Sequence, residues 1–424
     1  MPTAIQNRDE DADVHALHHA LVEELKANGN ITTEPVAAAF QAVPRHPFLP
    51  GLPLEKVYQD QAIPTKFEDG RPISSSSQPA IMAIMLEQLD LQPGQRVLEI
   101  GAGTGYNAAL MAHIVGPTGH VTTVDLDEDT VAGARGHLAA AGFQQVDVVC
   151  GDGTVGYAAS APYDRIILTV GSWDISSAWL DQLKSAGRLL LPLSLNGPQY
   201  AVAFERRDGY LASLSIRGCG FMRMRGDMAE PATLMPLGPD PGLLLVFAEA
   251  PFAVDAETIY RWLNDPYQDG ITGVETHLRE VWNSLSLWLA LADQPHCSLS
   301  AQGDAADKNI VPHLFSLDGE SKWCTSNGLL GESGLGLLTR PPAEQPATET
   351  ANESPPSFPL LARGFGPDKT VAHNLAAQVQ AWDEAGRPDI DGLRIRAYPT
   401  GAYTPAAGER VLAKQWHDFV LDWK

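Results

Sequence analysis

The stretch Val97-Leu98-Glu99-Ile100-Gly101-Ala102-Gly103-Thr104-Gly105 decides the fold of this chain. An apolar run ends in an acid, three glycines follow at alternate positions, and Tyr106 to Val115 reads as a helix behind them. That is a strand, a tight turn and a helix. Glycine gives such a turn access to positive φ and lets backbone approach a ligand closely. The helix N-terminus adds N–H groups that lack intrahelical partners. The spacing Gly101-x-Gly103-x-Gly105 is tighter than the G-x-G-x-x-G of dinucleotide-binding turns.

The flanking sequence agrees. Gly119 to Asp125 reads as a second strand ending in an acid, 20 residues past Gly105. An acid at that place accepts hydrogen bonds from ribose hydroxyls. Val146 to Cys150 is a third strand, followed by Gly151-Asp152-Gly153. Tyr163 to Val170 is a fourth, Leu180 to Leu183 closes a helix, and Gly187 to Pro192 is a fifth. The expected architecture is α/β, a Rossmann-like doubly wound sheet with ligands at the carboxyl ends of its strands. The glycine turn with Glu99 ahead of it resembles motif I of class I S-adenosylmethionine-dependent methyltransferases. The resemblance implies S-adenosyl-L-methionine as cofactor, held by Glu99, Gly101, Gly103, Gly105, Asp125, Leu126, Asp152 and Gly153. Asp152 matches the residue that reads the adenine amino group.

Composition sets limits. A chain of 424 residues suggests two or three domains. A net charge of −23 argues against general affinity for nucleic acid or anionic membranes, which takes clustered Lys and Arg. The sequence from Met1 to Glu10 lacks a signal-peptide pattern, and no apolar run approaches the ~18 residues of a membrane span. Cys150, Cys219, Cys297 and Cys324 are scattered and suit reduced thiols. A cytoplasmic protein is expected. His18, His19, His46, His113 and His120 show no metal-ligand spacing, so no metal is expected.

Residues 1 to about 12 are acidic and read as mobile; Val14 to Ala27 has helical apolar spacing, closed by Gly29. Thr32 or Thr33 starts a second helix with Pro35 in its first turn. Three regions are expected. Residues 1–80 form a helical and loop segment with an acceptor-site serine loop. Residues 81–235 form the cofactor-binding core. Residues 236–424 form an α+β extension, folded and suited to peptide recognition.

Arg45-His46-Pro47-Phe48-Leu49-Pro50, Tyr58 and Asp60, and Ser76-Ser77-Gln78-Pro79 stand ahead of the glycine turn. With Gly151 to Tyr157, Ala161 to Asp164 and Leu180 to Leu189, they resemble the protein-L-isoaspartate O-methyltransferase family across residues 15 to 225. Two features depart from it: a run of four serines, Ser74 to Ser77, and some 200 further residues. Both resemble the homologues found in lanthipeptide and graspetide biosynthesis, where ribosomally made peptides mature. That likeness implies methylation of an Asp in a ring-constrained precursor peptide, leading to aspartimide or isoaspartate. The alternative is a general repair enzyme for isoaspartyl proteins.

Methyl transfer to a carboxylate needs little acid–base help, because the acceptor is already ionised at neutral pH. It needs in-line alignment and exclusion of water. A hydroxyl orients a carboxylate without protonating it. Ser77 occupies the family's hydroxyl position and is the first candidate, then Ser76, then Ser75; capping of the helix begun by Pro79 is the competing role. Asn264-Asp265-Pro266-Tyr267 reads as a plain turn.

In the extension, Leu278, Val281, Trp282, Leu285, Trp288 and Leu289 form a helical stripe that reads as a core face. Val371, Leu375, Val379 and Trp382 form another, closed by Gly386. Pro341 to Pro359 reads as a linker, Leu393 to Tyr398 as a strand, and Trp416 to Trp423 as a packed terminal helix.

Overall fold

The computed structural model describes residues 3–68, 71–230, 233–240, 242–247, 254–292, 294–317, 322–341, 357–406 and 409–423. The linker expected over Pro341 to Pro359 lies mostly outside these residues.

The first half of the chain supplies a hairpin, β1 (Ile63–Glu68) and β2 (Arg71–Ser76), and then seven strands of one sheet. These are β3 (Arg96–Ile100), β4 (His120–Asp125), β5 (Asp147–Cys150), β6 (Tyr163–Leu168), β7 (Leu183–Ser194), β8 (Gln199–Arg206) and β9 (Leu211–Cys219). β3 to β7 run parallel, and β8 and β9 are antiparallel additions. Both faces of the parallel part are covered, so Val97, Leu98 and Ile100 of β3 are all buried. One face packs on the helices Pro79–Leu89 and Tyr106–Val115, the other on Trp179 and its neighbours. The chain leaves β3 toward β4 and β5, then returns to β6 on the other side of β3. That reversal opens a crevice at the carboxyl end of β3, where the glycine turn lies.

The helix Thr3–Ala27 begins well before Val14 and includes the acidic residues expected to be mobile. The second helix, Glu34–Ala42, has Thr33 as N-cap and Pro35 in its first turn, as its sequence implies.

The extension forms an antiparallel sheet of eight strands: β10 (Thr233–Pro236), β11 (Leu243–Phe247), β12 (Gln268–Thr276), β13 (His296–Gln302), β14 (Phe315–Leu317), β15 (Trp323–Gly331), β16 (Gly334–Thr339) and β17 (Phe358–Phe365). The helix Thr370–Glu384 packs on it with Val371, Leu375, Val379 and Trp382 buried. Residues 278–290 are helical with a π-helical turn at Val281–Leu285.

The chain then returns to the first sheet. β18 (Leu393–Pro399) pairs with β9, followed outward by β20 (His417–Trp423) and β19 (Arg410–Ala413). Two expectations are corrected here. Residues 417–423 form a strand, not a terminal helix, because Phe419 and Leu421 alternate into the sheet's core while Asp418 and Asp422 face outward to polar partners. The boundary at 235/236 does not separate two spatial units, since the last strands complete the first sheet. Asp174, fully buried after β6, fixes that return: its carboxylate accepts from the Trp416 backbone N–H at 2.7 Å and contacts His417 Nδ1 at 3.2 Å.

Candidate active site

A cavity of about 610 Å³ fills the crevice beside the glycine turn. Gly101, Gly103 and Gly105 all hold positive φ, at 103°, 51° and 87°. A Cβ on Gly101 would stand 2.6 Å from Thr169 Oγ1, so no side chain fits there. The Thr169 hydroxyl instead donates to the Gly101 carbonyl at 2.6 Å. Gly105 N-caps the helix Tyr106–Val115.

Glu99 is fully buried beneath the turn. Asn107 Nδ2 donates to one of its oxygens and Thr123 Oγ1 to the other, each at 2.7 Å. Burial nevertheless pushes its pKa up to about 7. Asp125 ends β4, and its Oδ2 accepts from the Gly103 N–H at 3.1 Å. Leu126 follows, half-exposed in the cavity wall. Asp152 accepts from the Thr154 N–H at 2.8 Å and the Asp227 N–H at 3.0 Å. Partial burial raises its pKa, but these bonds outweigh that and hold it below the usual range. At Gly153 a Cβ would stand 2.4 Å from Ile100, so the chain passes too close for any side chain.

The serine run is not the loop its sequence suggests. Ser74 to Ser76 belong to β2, and Ser77 and Gln78 lead into the helix Pro79–Leu89. Side chains alternate in extended chain. Ser76 is therefore buried, with its Oγ 3.3 Å from Arg45 Nη2. Ser74 to Ser77 all contribute to the cavity lining, but Ser76 Oγ bonds Arg45 and Ser74 Oγ accepts from Thr65, whereas among the described residues the hydroxyls of Ser75 and Ser77 have no hydrogen-bond partner. The helix that follows is capped from elsewhere: Asp60 accepts from the Ala80 N–H at 2.8 Å and from Gln78 Nε2 at 2.9 Å.

Three contributions were not legible as such in the sequence. Arg45, fully buried, donates to the carbonyls of Val57, Gln59, Gln61 and Ser77 at 2.9–3.2 Å. Asp127 accepts from Lys66 of β1 at 2.8 Å and from Arg225 at 2.6 Å, so the hairpin and the segment after β9 meet over the loop behind β4. Trp282 lies on the π-helical turn, 42% exposed, and lines the cavity instead of joining the core stripe. Such turns recur at functional sites.

Among the described residues no group of three or more His, Cys, Asp or Glu is placed to hold a metal ion. Among them, too, no helix is long and apolar enough to cross a membrane. The histidines singled out above bind protein groups where they are inward: His18 Nε2 lies 2.6 Å from the Phe40 carbonyl and His46 Nδ1 2.8 Å from the Tyr58 hydroxyl.

Residues 16–227 match the family of protein-L-isoaspartate(D-aspartate) O-methyltransferases. The chain belongs to this family. It is 38% identical over 221 residues to the protein-L-isoaspartate O-methyltransferase of Methanopyrus kandleri, covering 52% of this chain and 96% of that one. It is 41% identical over 179 residues to the enzyme of the same name from Thermotoga maritima, covering 42% of this chain and 56% of that one. A solved protein-L-isoaspartate O-methyltransferase aligns over 89% of this chain and 96% of its own, at 24% identity and a TM-score of 0.49. This chain is an S-adenosylmethionine-dependent methyltransferase. Its residues fit that cofactor: a turn with three positive-φ glycines at a helix N-terminus, and carboxylates at the end of β4 and after β5 that line the same cavity.

Proposed function

We propose that this methyltransferase esterifies the side-chain carboxylate of an isoaspartyl or aspartyl residue held in a ring-constrained, ribosomally made peptide. The observation that carries the reading is the composition of one cavity. It is lined by the two unpartnered hydroxyls of Ser75 and Ser77, by the glycine turn, and by Trp282 of the extension. A catalytic half of the kind shared with the Methanopyrus kandleri relative would thus have a second wall.

S-adenosyl-L-methionine, when bound, supplies a methyl group on a positively charged sulfur. Asp125 would accept from its ribose hydroxyls and Asp152 from its adenine amine, with Gly101 and Gly103 allowing close backbone approach. Glu99 would act from beneath, joining the turn's helix to β4. Ser77 would orient the acceptor carboxylate without protonating it, with Ser75 beside it and Ser76 fixed to Arg45. Once an aspartyl ester forms, the next backbone nitrogen displaces methanol and closes the succinimide without a further catalyst. A constrained ring presents more surface than a linear peptide, and Trp282 is suited to receive it.

The test compares a linear isoaspartyl peptide with a macrocyclic Asp peptide by mass spectrometry. A gain of one methyl, or loss of one water, on the macrocycle is expected. Trp282→Ala should raise KM for the macrocycle while leaving cofactor affinity unchanged. Activity confined to linear isoaspartyl peptides, unaffected by Trp282→Ala, would overturn the constrained-peptide reading in favour of general repair.

A further inference from the structure

A second cavity, of about 310 Å³, lies between the catalytic sheet and the extension. Its floor comes from the β7–β8 turn and β8, its far wall from Ser298, Thr325 and Asn327 of the extension sheet. It shares Cys219, Gly220, Phe221, Arg223 and Trp282 with the cofactor cavity, so the two adjoin at these residues.

The lining carries polar atoms that the protein leaves unsatisfied. Tyr200 is 1% exposed and its hydroxyl has no partner. His296 is 8% exposed and its Nε2 has no partner. A buried polar group without a partner costs about 1–3 kcal/mol, and two residues that carry such a group belong to the lining of this one cavity. Both groups are neutral. Burial lowers the His296 pKa to about 4, and burial beside Cys219 drives the Tyr200 hydroxyl well above its ordinary value. The remaining polar lining is hydroxyl and amide, and no carboxylate lines the cavity. Arg223, its one cation, is paired with Glu230 at 3.0 Å. A charged occupant would therefore sit without an opposite charge, and a purely aliphatic one would leave the polar lining without a partner.

We propose that this cavity is a specificity subsite that takes an uncharged hydrogen-bonding side chain, an amide or a hydroxyl, from a residue flanking the methylated one. This rests on the reading of the larger cavity as a peptide carboxylate site. The subsite would explain why the extension stands against the mouth of the first cavity: the peptide would run past Trp282 with one side chain on each side of it.

The test uses a panel of isoaspartyl and aspartyl peptides whose flanking residues are varied among Gln, Ser, Leu, Glu and Lys. Methylation is followed with the full chain. A preference of about tenfold or more in kcat/KM for Gln or Ser over Glu, Lys and Leu is expected. Tyr200→Phe removes only the unpartnered hydroxyl. It should keep or raise thermal stability, raise KM for the preferred peptide and leave kcat unchanged; a structural role for the hydroxyl would not move KM. Ser298→Leu, which narrows the cavity from the extension side, should also flatten the preference. A flat panel in the unaltered enzyme, or a preference that survives both substitutions, overturns the subsite, with water as its only occupant. Binding of the same peptides, with Ala in place of the acceptor residue, is measured by calorimetry alongside. No transfer to any peptide would overturn the acceptor reading, while the binding order would still decide the subsite.

Discussion

Arg45, with no exposed surface, donates to the carbonyl oxygen of Ser77 at 3.0 Å. The same guanidinium reaches the carbonyls of Val57, Gln59 and Gln61, so one planar cation fixes the serine run against the turn that precedes the hairpin. Its fork geometry matters more than its charge.

Arg45→Met should therefore deprive the buried Val57 carbonyl and three partly buried ones of their donor at once. Each costs about 1–3 kcal/mol, so a loss of ~4 kcal/mol or more is expected in urea unfolding. Arg45→Lys should recover only part of it. A change under about 1 kcal/mol for Arg45→Met would contradict this role.

Ser77→Ala and Ser76→Ala should separate cleanly. Ser77→Ala should lower kcat about tenfold or more while cofactor affinity holds, because orientation acts in the transition state. Ser76→Ala should cost about 1 kcal/mol of stability and far less activity. Equal effects on kcat would mean that the strand alternation does not divide their roles.

Asp125→Ala should weaken S-adenosylmethionine binding tenfold or more, since each charge-assisted bond is worth about 1.5–3 kcal/mol. It also removes the acceptor for the Gly103 N–H. Asp125→Asn keeps a neutral acceptor there and should fall between the two. Unchanged affinity in a folded Asp125→Ala variant, by calorimetry, would sink the ribose assignment.

Glu99 gives a pH prediction with a definite sign. Its folded pKa, about 7, lies above its unfolded value of 4.5. The native state therefore holds the proton longer. Its contribution to stability is fully present below about pH 4.5, declines as pH rises to about 7, and is flat above that. The raised pKa corresponds to a decline of ~3 kcal/mol. Glu99→Gln should lack this decline. Matching slopes in the two proteins over that window would show that Glu99 ionises freely when folded.

Much of this was open to reading in the chain itself. Glycines at 101, 103 and 105 mark a turn that needs positive φ, and acids at strand ends point to the crevice, so the sheet and its cavity follow from local pattern. The helix at Tyr106–Val115 has the bounds its sequence implies. What the sequence hides depends on distant partners. Arg45 reads as a motif letter until the carbonyls it gathers are seen. Trp282 shares a helical stripe with core residues, and only the π-helical turn moves it to the cavity. The segment Trp416 to Trp423 has spacing that fits helix or strand, and pairing with β18 decides it.

Asp174 ties the two halves of the chain, so they should unfold together. Asp174→Ala removes acceptors from the Trp416 N–H and the Ile175 N–H, both at 2.7 Å. A stability loss of ~3 kcal/mol is expected, with one calorimetric transition in the unaltered protein. Two resolved transitions there would show that the halves melt independently.

The placement of β18 also sets an order of events during synthesis. A ribosome releases every residue of the cofactor crevice long before Leu393 emerges. Until then β9 is a bare sheet edge, with backbone donors and acceptors ready to pair with any neighbouring nascent chain. Prematurely terminated products of this gene would thus carry a complete glycine turn and an adhesive flank. Such products would be prone to aggregation or chaperone capture, and residues 393–423 act, in effect, as the enzyme's own seal.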